Sequence, residues 1–310
     1  MSGTMPVAEI SFALKAHGGL ERLIASGAFP DLDSETAEAI IEEAERFAED
    51  QLAPLNHPGD RAGVTLADGV VTTPPGWKET YTRWREAGWN GLGSPPEWGG
   101  QGLPMVLQMA LQEIWNSANA VTSAGIQVHG GAGYIEETGA AQLFRDARIF
   151  AIYEGTNGIQ AMDLATRKVK LSGGAPVAAI IKEVAEIAAA VAGVNQPEFG
   201  QTAARLADAG KHLAAATAYL AKALAAGNLQ PALAGATPYL RLFALAFGGA
   251  LLAKGALGAD QANRDRATAL ARFHAESLLG EAAPLAAAVI EGAEGLQQAA
   301  LHLGIAGPTS

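Results

Sequence analysis

Residues 145–160 read RDARIFAIYEGTNGIQ, and the helical periodicity of their apolar residues continues through nearly the whole chain. Apolar residues recur at helical spacing on both sides, so a helix is predicted before the stretch's centre and another after it. At the centre, Glu154 precedes Gly155, a residue that permits unusual φ values and close approach of the backbone. Thr156 and Asn157 can cap the second helix. The stretch therefore predicts helix, break and helix, with a carboxylate at the break.

Two interpretations of Glu154 follow from the residues alone. Glu154 is either an acid in the first turn of a helix, where it stabilises the helix dipole, or a carboxylate aimed into a functional cleft.

Composition limits the class of protein. Of the 310 residues, 49% are hydrophobic and 17% charged, which is enough apolar material for a large core. The net charge of −11 argues against nucleic acid as a partner, because no basic face is available to neutralise phosphates. The chain has no cysteine, which excludes disulfides, thiolate catalysis and cysteine-based metal sites.

The apolar segments predict neither a signal peptide nor a membrane span. The N-terminus lacks a basic-then-apolar pattern, and Glu9 interrupts its short apolar stretch. The longest apolar run, Leu242–Ala253, lies between Arg241 and Lys254 and is too short to cross a bilayer. We therefore expect a buried helix there and a soluble, cytoplasmic protein.

The first half of the chain predicts short helices and one hairpin. Ser34 resembles an N-cap, and the amphipathic helix that follows is expected to end before Pro54. Val64–Thr73, with Asp68-Gly69 between β-branched runs, predicts a β-hairpin. Further helices are predicted over Gly76–Trp89, Met105–Asn119, Val121–His129, Gly139–Ile149 and Ile159–Lys170.

The composition changes after the linker-like SGGAP at Ser172–Pro176. Alanine increases, aromatic residues become fewer, and glycine- and proline-containing breaks separate about four long helical segments. The predicted fold is all-α: an N-terminal helical unit with a small β-hairpin, followed by a C-terminal helical bundle.

Few isolated residues indicate chemistry. The six histidines are scattered, and no pair has the i, i+4 spacing of a helical metal site, so no metal is predicted. The GGAG at Gly130–Gly133 lacks the strand and the lysine of a phosphate-binding loop. Taken alone, it is typical of a helix C-terminus.

Residues Ile126–Gln160 together carry a resemblance that single residues do not. They read IQVHGGAGYIEETGAAQLFRDARIFAIYEGTNGIQ. This resembles the C-terminal signature of flavin-dependent acyl-CoA dehydrogenases: a Q-x-x-G-G-x-G-aromatic block, then R-D-A-R-I, then I-Y-E-G-T-x-x-I-Q. EWGGQGLP, at Glu97–Pro104, resembles a loop of the family's N-terminal helical domain. The segment from Ser172 is similar to the extra helical domain of a large-chain subgroup that includes methylthiopropionyl-CoA dehydrogenase-like proteins.

The resemblance also implies a gap. The family's middle β-domain has no counterpart here, and the junction is expected near Ala120–Val121. Three regions follow: residues 1–120, an acyl-CoA dehydrogenase-like helical region; residues 121–171, the motif helices with the glutamate; and residues 172–310, the alanine-rich domain.

The resemblance implies a reaction and a site. The reaction is α,β-dehydrogenation of an acyl-CoA thioester to the 2-enoyl-CoA, with Glu154 as the catalytic base and FAD as the cofactor. The positions that match the family's cofactor contacts are Gln127, Gly130, Gly131, Thr156 and Asn157. Tyr153 and Gly155 match positions near the substrate. Arg145 and Asp146 are interpreted as a structural ion pair or cap between helices.

The expected partners come from the same resemblance. An acyl-CoA is the substrate, an electron-transferring flavoprotein is the acceptor, and the chain forms a homo-oligomer. The alternative is a non-catalytic helical remnant of such an enzyme, which folds and oligomerises without flavin.

Overall fold

The computed structural model describes residues 7–16, 18–104, 107, 119–152, 155–194 and 196–303. The chain divides into two compact units, Met1–Ala151 and Ile152–Ser310. This boundary lies inside the segment 121–171 that the sequence groups together. The division into three regions, with boundaries after residues 120 and 171, stays a prediction.

The described part of the first unit is helical apart from one hairpin. Its helices are α1 (Val7–Ala16), α2 (Leu20–Ala25), α3 (Ser34–Phe47), α4 (Ala53–Ala62), α5 (Trp77–Glu86), α6 (Asn119–His129), α7 (Gly131–Tyr134) and α8 (Ala140–Arg148). Its strands are β1 (Thr65–Ala67) and β2 (Val70–Thr72). A π-helical turn occupies Ala48–Leu52, and 3₁₀ turns occupy Trp89–Gly91, Pro96–Trp98, Glu136–Thr138 and Ile149–Ala151.

The second unit is a bundle. Its helices are α9 (Asn157–Thr166), α10 (Ala175–Val194), α11 (Thr202–Ala225), α12 (Gln230–Ala234), α13 (Ala236–Gly258), α14 (Arg264–Ser277) and α15 (Ala282–His302). Its 3₁₀ segments are Lys168–Gly174, Pro197–Phe199 and Leu279–Glu281. The predicted all-α fold with a small hairpin is confirmed. Five helices longer than 13 residues follow Ser172, one more than the sequence indicated.

The linker expected at Ser172–Pro176 is a kink between helices. Leu171 and Ser172 have non-helical dihedral angles within the segment Lys168–Gly174, and Pro176 already belongs to α10. Proline is tolerated there because the first turn of a helix does not use its N–H groups.

The amphipathic helix after Asp33 differs from its prediction at both ends. The N-cap is Asp33, whose carboxylate accepts a hydrogen bond from the Thr36 N–H at 2.7 Å, whereas Ser34 is the first helical residue. The helix does not stop before Pro54, because the π-helical turn leads directly into α4. Pro54 occupies the first turn of α4, where its missing N–H costs no hydrogen bond.

The hairpin is confirmed at its predicted place. β1 and β2 pair antiparallel, with Thr65 opposite Thr72, and Asp68 and Gly69 both have positive φ, at 51° and 74°. Two consecutive positive φ values are what a two-residue hairpin turn requires. All six strand residues are exposed, so the hairpin buries neither face within the described chain.

Helix α13 is the central helix of the second unit. It contacts α9, α10, α11, α14 and α15, and its buried residues include Tyr239, Leu242, Ala246 and Ala250. Among the described residues, α13 is the helix that is long and apolar enough to cross a membrane. Its 23 residues extend well beyond the 12-residue apolar run on which the sequence prediction was based. The expectation of a buried helix around Leu242–Ala253 agrees with this burial.

A glycine lets α13 approach α14 closely. The His274 Nε2 donates a hydrogen bond to the Leu245 carbonyl oxygen at 2.9 Å, so the imidazole lies directly on the backbone of α13. A Cβ on Gly249 would lie 2.8 Å from the His274 Cδ2 and 3.2 Å from the Leu206 Cδ2. The neighbouring Gly248 has open space at the same position.

These two glycines give a matched test of the packing. We expect Gly249→Ala to lower the free energy of unfolding by about 1–3 kcal/mol, because the methyl group must displace the His274 ring. Gly248→Ala should instead raise it by up to about 1 kcal/mol, the difference in helix propensity. Urea unfolding followed by circular dichroism measures both, and equal effects of the two substitutions would contradict the close contact.

Candidate functional site

The break around Glu154 is defined by the residues on either side of it. Helix α8 ends at Arg148, a 3₁₀ turn follows over Ile149–Ala151, and α9 begins at Asn157. Tyr153 and Glu154 lie outside the described residues. The helix on each side agrees with the prediction, and the interruption lies between them.

The residues after Glu154 have the conformation that their types favour. Gly155 has φ of 94°, which lies in the region that side chains disfavour, so a glycine suits this position. The Thr156 hydroxyl oxygen accepts a hydrogen bond from the Ile159 N–H at 3.3 Å and so caps α9. Asn157 is the first residue of that helix. Gly155, Thr156 and Asn157 are all exposed, so the chain is accessible there.

The second group of predicted site residues lies where α6 ends. Gly130 has φ of 60°, and its N–H donates to the Gln127 carbonyl oxygen at 3.1 Å, which ends α6. Gln127, Gly130 and Gly131 are exposed, and a Cβ on either glycine would meet no atom within 4 Å. The turn is therefore an open stretch of backbone that a ligand can approach. These three residues lie together in the first unit, and Gly155, Thr156 and Asn157 lie together in the second.

A buried amide near the predicted site was missed by the sequence analysis. Gln142 of α8 is only 3% exposed. Its Nε2 donates to the Asn56 Oδ1 at 2.8 Å and to the Asn56 carbonyl oxygen at 3.1 Å, and its Oε1 lies 3.1 Å from the His57 Nδ1. Because the Gln142 Oε1 can only accept, the His57 Nδ1 carries the proton. This network fixes α8 against α4.

Arg145 forms the second link between these helices. Its guanidinium contacts the Asp60 Oδ2 at 2.7 Å and the Glu136 Oε1 at 2.8 Å. Hydrogen bonds from Arg145 lower the pKa of the Glu136 carboxyl, and the same bond raises the pKa of Arg145. The structural role expected of Arg145 is thus supported, but its partners are Asp60 and Glu136 instead of Asp146.

Asp146 has a different environment from the one expected. Its Oδ2 accepts a 3.4 Å hydrogen bond from the Gln142 Nε2. Burial of its carboxyl raises the pKa of Asp146, and the nearby charge on Asp60 raises it further. The residue as a whole remains exposed, so only part of the carboxylate has lost water.

Within the described ranges, no group of three or more His, Asp or Glu residues is arranged to hold a metal ion.

Two family models match the chain. Residues 103–169 match the model described as "Acyl-CoA dehydrogenase, C-terminal domain", and residues 180–299 match "Acetyl-CoA dehydrogenase C-terminal like". The first match contains the break and both groups of predicted site residues. The second covers most of the alanine-rich bundle.

The two matched segments belong to the acyl-CoA dehydrogenase family.

Individual members of the family support this assignment. The chain is 38% identical over 119 residues to 3-methylmercaptopropionyl-CoA dehydrogenase of Ruegeria pomeroyi, which is 38% of this chain and 20% of that protein. It is 40% identical over 86 residues to a butyryl-CoA dehydrogenase of Syntrophomonas wolfei, or 28% of this chain and 14% of that protein. Over 44 residues it is 46% identical to a caffeyl-CoA reductase-Etf complex subunit of Acetobacterium woodii, or 14% of this chain and 12% of that protein. The chain thus spans a fifth or less of the length of these acyl-CoA dehydrogenase relatives.

The network around Gln142 predicts a stability effect. We expect Gln142→Leu to lower the free energy of unfolding by about 1–3 kcal/mol, because Asn56 and His57 would lose a buried partner. Gln298→Leu is the matched control, since Gln298 is exposed on α15 and its replacement should change stability by less than about 0.5 kcal/mol. Thermal unfolding of both variants tests this, and a neutral Gln142→Leu would show that the network adds no stability.

Proposed function

We propose that this chain catalyses the flavin-dependent α,β-dehydrogenation of an acyl-CoA thioester to the 2-enoyl-CoA. One observation gives this proposal its main support. Helix α8 ends at Arg148, before Glu154 in the sequence, and α9, capped by Thr156, begins after it. The segment lies within the match to the acyl-CoA dehydrogenase C-terminal domain.

The proposed chemistry explains why a carboxylate is needed there. The α-proton of a thioester is only weakly acidic, so a positioned base has to remove it. We assign this role to the Glu154 carboxylate, which takes the proton from the α-carbon. Negative charge then develops on the thioester oxygen, and a backbone N–H freed from the helical pattern can stabilise it. Tyr153 and Gly155 are assigned to the substrate side of the break.

The open glycine turn fits the proposed cofactor. Gly130 and Gly131 leave backbone accessible, and Gln127 beside them is exposed, as a dinucleotide portion of FAD would require. Thr156 and Asn157 at the start of α9 are the second group assigned to FAD. Bound FAD would supply the acceptor for the hydrogen that leaves the β-carbon.

The proposed partners are an electron-transferring flavoprotein and further copies of this chain. One relative is named as a subunit of a reductase–Etf complex, which favours an electron-transferring flavoprotein as the acceptor. A homo-oligomer is favoured by exposed apolar side chains in the first unit. On the hairpin these are Val64, Leu66, Val70 and Val71, which are 62–73% exposed.

The second candidate is a non-catalytic remnant that folds and associates without flavin. It is favoured by the strand content, because the strands among the described residues are those of the hairpin. The proposed junction near Ala120–Val121 is compatible with both candidates.

Flavin binding separates the two candidates. If the first is correct, the purified protein should be yellow or become so when FAD is added, with an absorption band near that of bound flavin and quenched flavin fluorescence. Gly131→Val should weaken binding by about tenfold or more, because the side chain fills the open turn. Gly292→Val, on the exposed face of α15, is the control. A protein that stays colourless at saturating FAD supports the remnant.

The role of Glu154 can be tested without complete turnover. We expect Glu154→Gln to slow exchange of the substrate α-hydrogen with deuterated water by about 10²–10⁴-fold, because the amide cannot accept the proton. Glu137→Gln, an exposed acid of the same segment, should leave the exchange unchanged. Equal exchange in wild type and Glu154→Gln would remove Glu154 from the mechanism.

A further inference from the structure

The first unit contains a cavity separate from the residues assigned to acyl-CoA and FAD. Its volume is about 400 Å³, and it lies between α4, the two outer ends of the hairpin, the start of α5 and α8. A cavity of this size is in the range of small-molecule sites. The side chains that give it chemical character are Asn56, Asp60, Trp77, Gln142 and Asp146.

One wall of the cavity is aromatic and fixed in place. The Trp77 indole lies on the backbone of α4 at Gly59, where a Cβ would be only 2.4 Å from the Trp77 Nε1. Because Gly59 leaves room for it, the ring packs against α4 and part of it borders the cavity. An aromatic surface of this kind favours an alkyl chain or an organic cation.

The charged side chains of the cavity lining, Asp60 and Asp146, are both negative. Asp60 contacts Arg145, but Arg145 is shared with Glu136, so one guanidinium serves two carboxylates. Asp146 has no ion-pair partner among the described residues, and its hydrogen bond comes from the neutral Gln142 amide. The Arg145 charge also acts on Asp146, so this one guanidinium serves three carboxylates. A cation in the cavity would therefore meet an excess of negative charge.

We infer that this cavity binds a small alkylammonium ion, with the ammonium group at Asp146 and Asp60 and the alkyl chain against Trp77. Ammonium supplies up to three donors, and the carboxylates and the Asn56 side-chain oxygen are acceptors. The raised pKa of Asp146 agrees with this, since a partly dehydrated carboxylate near another negative charge is stabilised by a cation. The inference does not depend on the proposed dehydrogenase activity.

Fluorine NMR of protein labelled with 5-fluorotryptophan provides the test. The chain has five tryptophans, and Trp77→Phe identifies the Trp77 resonance. We expect n-butylammonium chloride, titrated at constant ionic strength, to shift the Trp77 resonance saturably. The uncharged 1-butanol should give at most a weak, non-saturating shift, because it has the same chain without the cation.

Two variants complete the experiment. Asp146→Asn keeps the shape and removes the charge, so it should weaken n-butylammonium binding by about tenfold or more. Glu79→Gln on α5 removes an exposed carboxylate that does not line the cavity and should leave binding unchanged. The other four resonances verify that Asp146→Asn is folded. The inference is overturned if butanol matches butylammonium, if Asp146→Asn binds as wild type does, or if the Trp77 resonance does not move.

Discussion

Close approach between helices is the constraint on which the second unit depends. Helix α13 contacts α9, α10, α11, α14 and α15, and the small residues Ala246, Gly249, Ala250 and Ala253 let parts of its surface approach them closely. Larger side chains would push the axes apart and remove the hydrogen bond from His274 to the α13 backbone. The interior of this bundle combines these small residues with larger buried side chains, among them Leu206, Leu213 and Leu220 of α11.

The sequence predicts regular features well where a local rule decides them. Asp68-Gly69 between β-branched residues predicts the hairpin because the turn needs two positive φ values, and both are found. Local rules also predict the end of the break before α9. Gly155 adopts the positive φ that glycine favours, and the Thr156 hydroxyl then caps the helix. The family signature adds the identity of Glu154 as a candidate base, which no local rule supplies.

The sequence predictions fail where the local pattern allows more than one outcome. Pro54 looks like a helix terminator, yet a π-helical turn before it places it in the first turn of α4, where proline is tolerated. Arg145 and Asp146 look like a pair, yet their partners lie 85 residues away at Asp60 and four residues away at Gln142. Gln142 itself carries no signal, because an isolated glutamine on a short helix is ordinarily exposed. The cavity beside Trp77 could not be predicted, because it needs α4, α5 and α8 in three dimensions.

The position of α9 affects how independently the alanine-rich domain can evolve. Residues 103–169 and 180–299 match two separate family models, as if the second were an attachable module. Nevertheless α9, which belongs to the first match, packs on α12 and α13 of the second and buries Ala161 and Ala165 completely. The capped helix that follows Glu154 is thus part of the bundle's interior. A chain without the bundle would expose Ala161 and Ala165 to water, so the helix that follows Glu154 depends on the bundle for its cover.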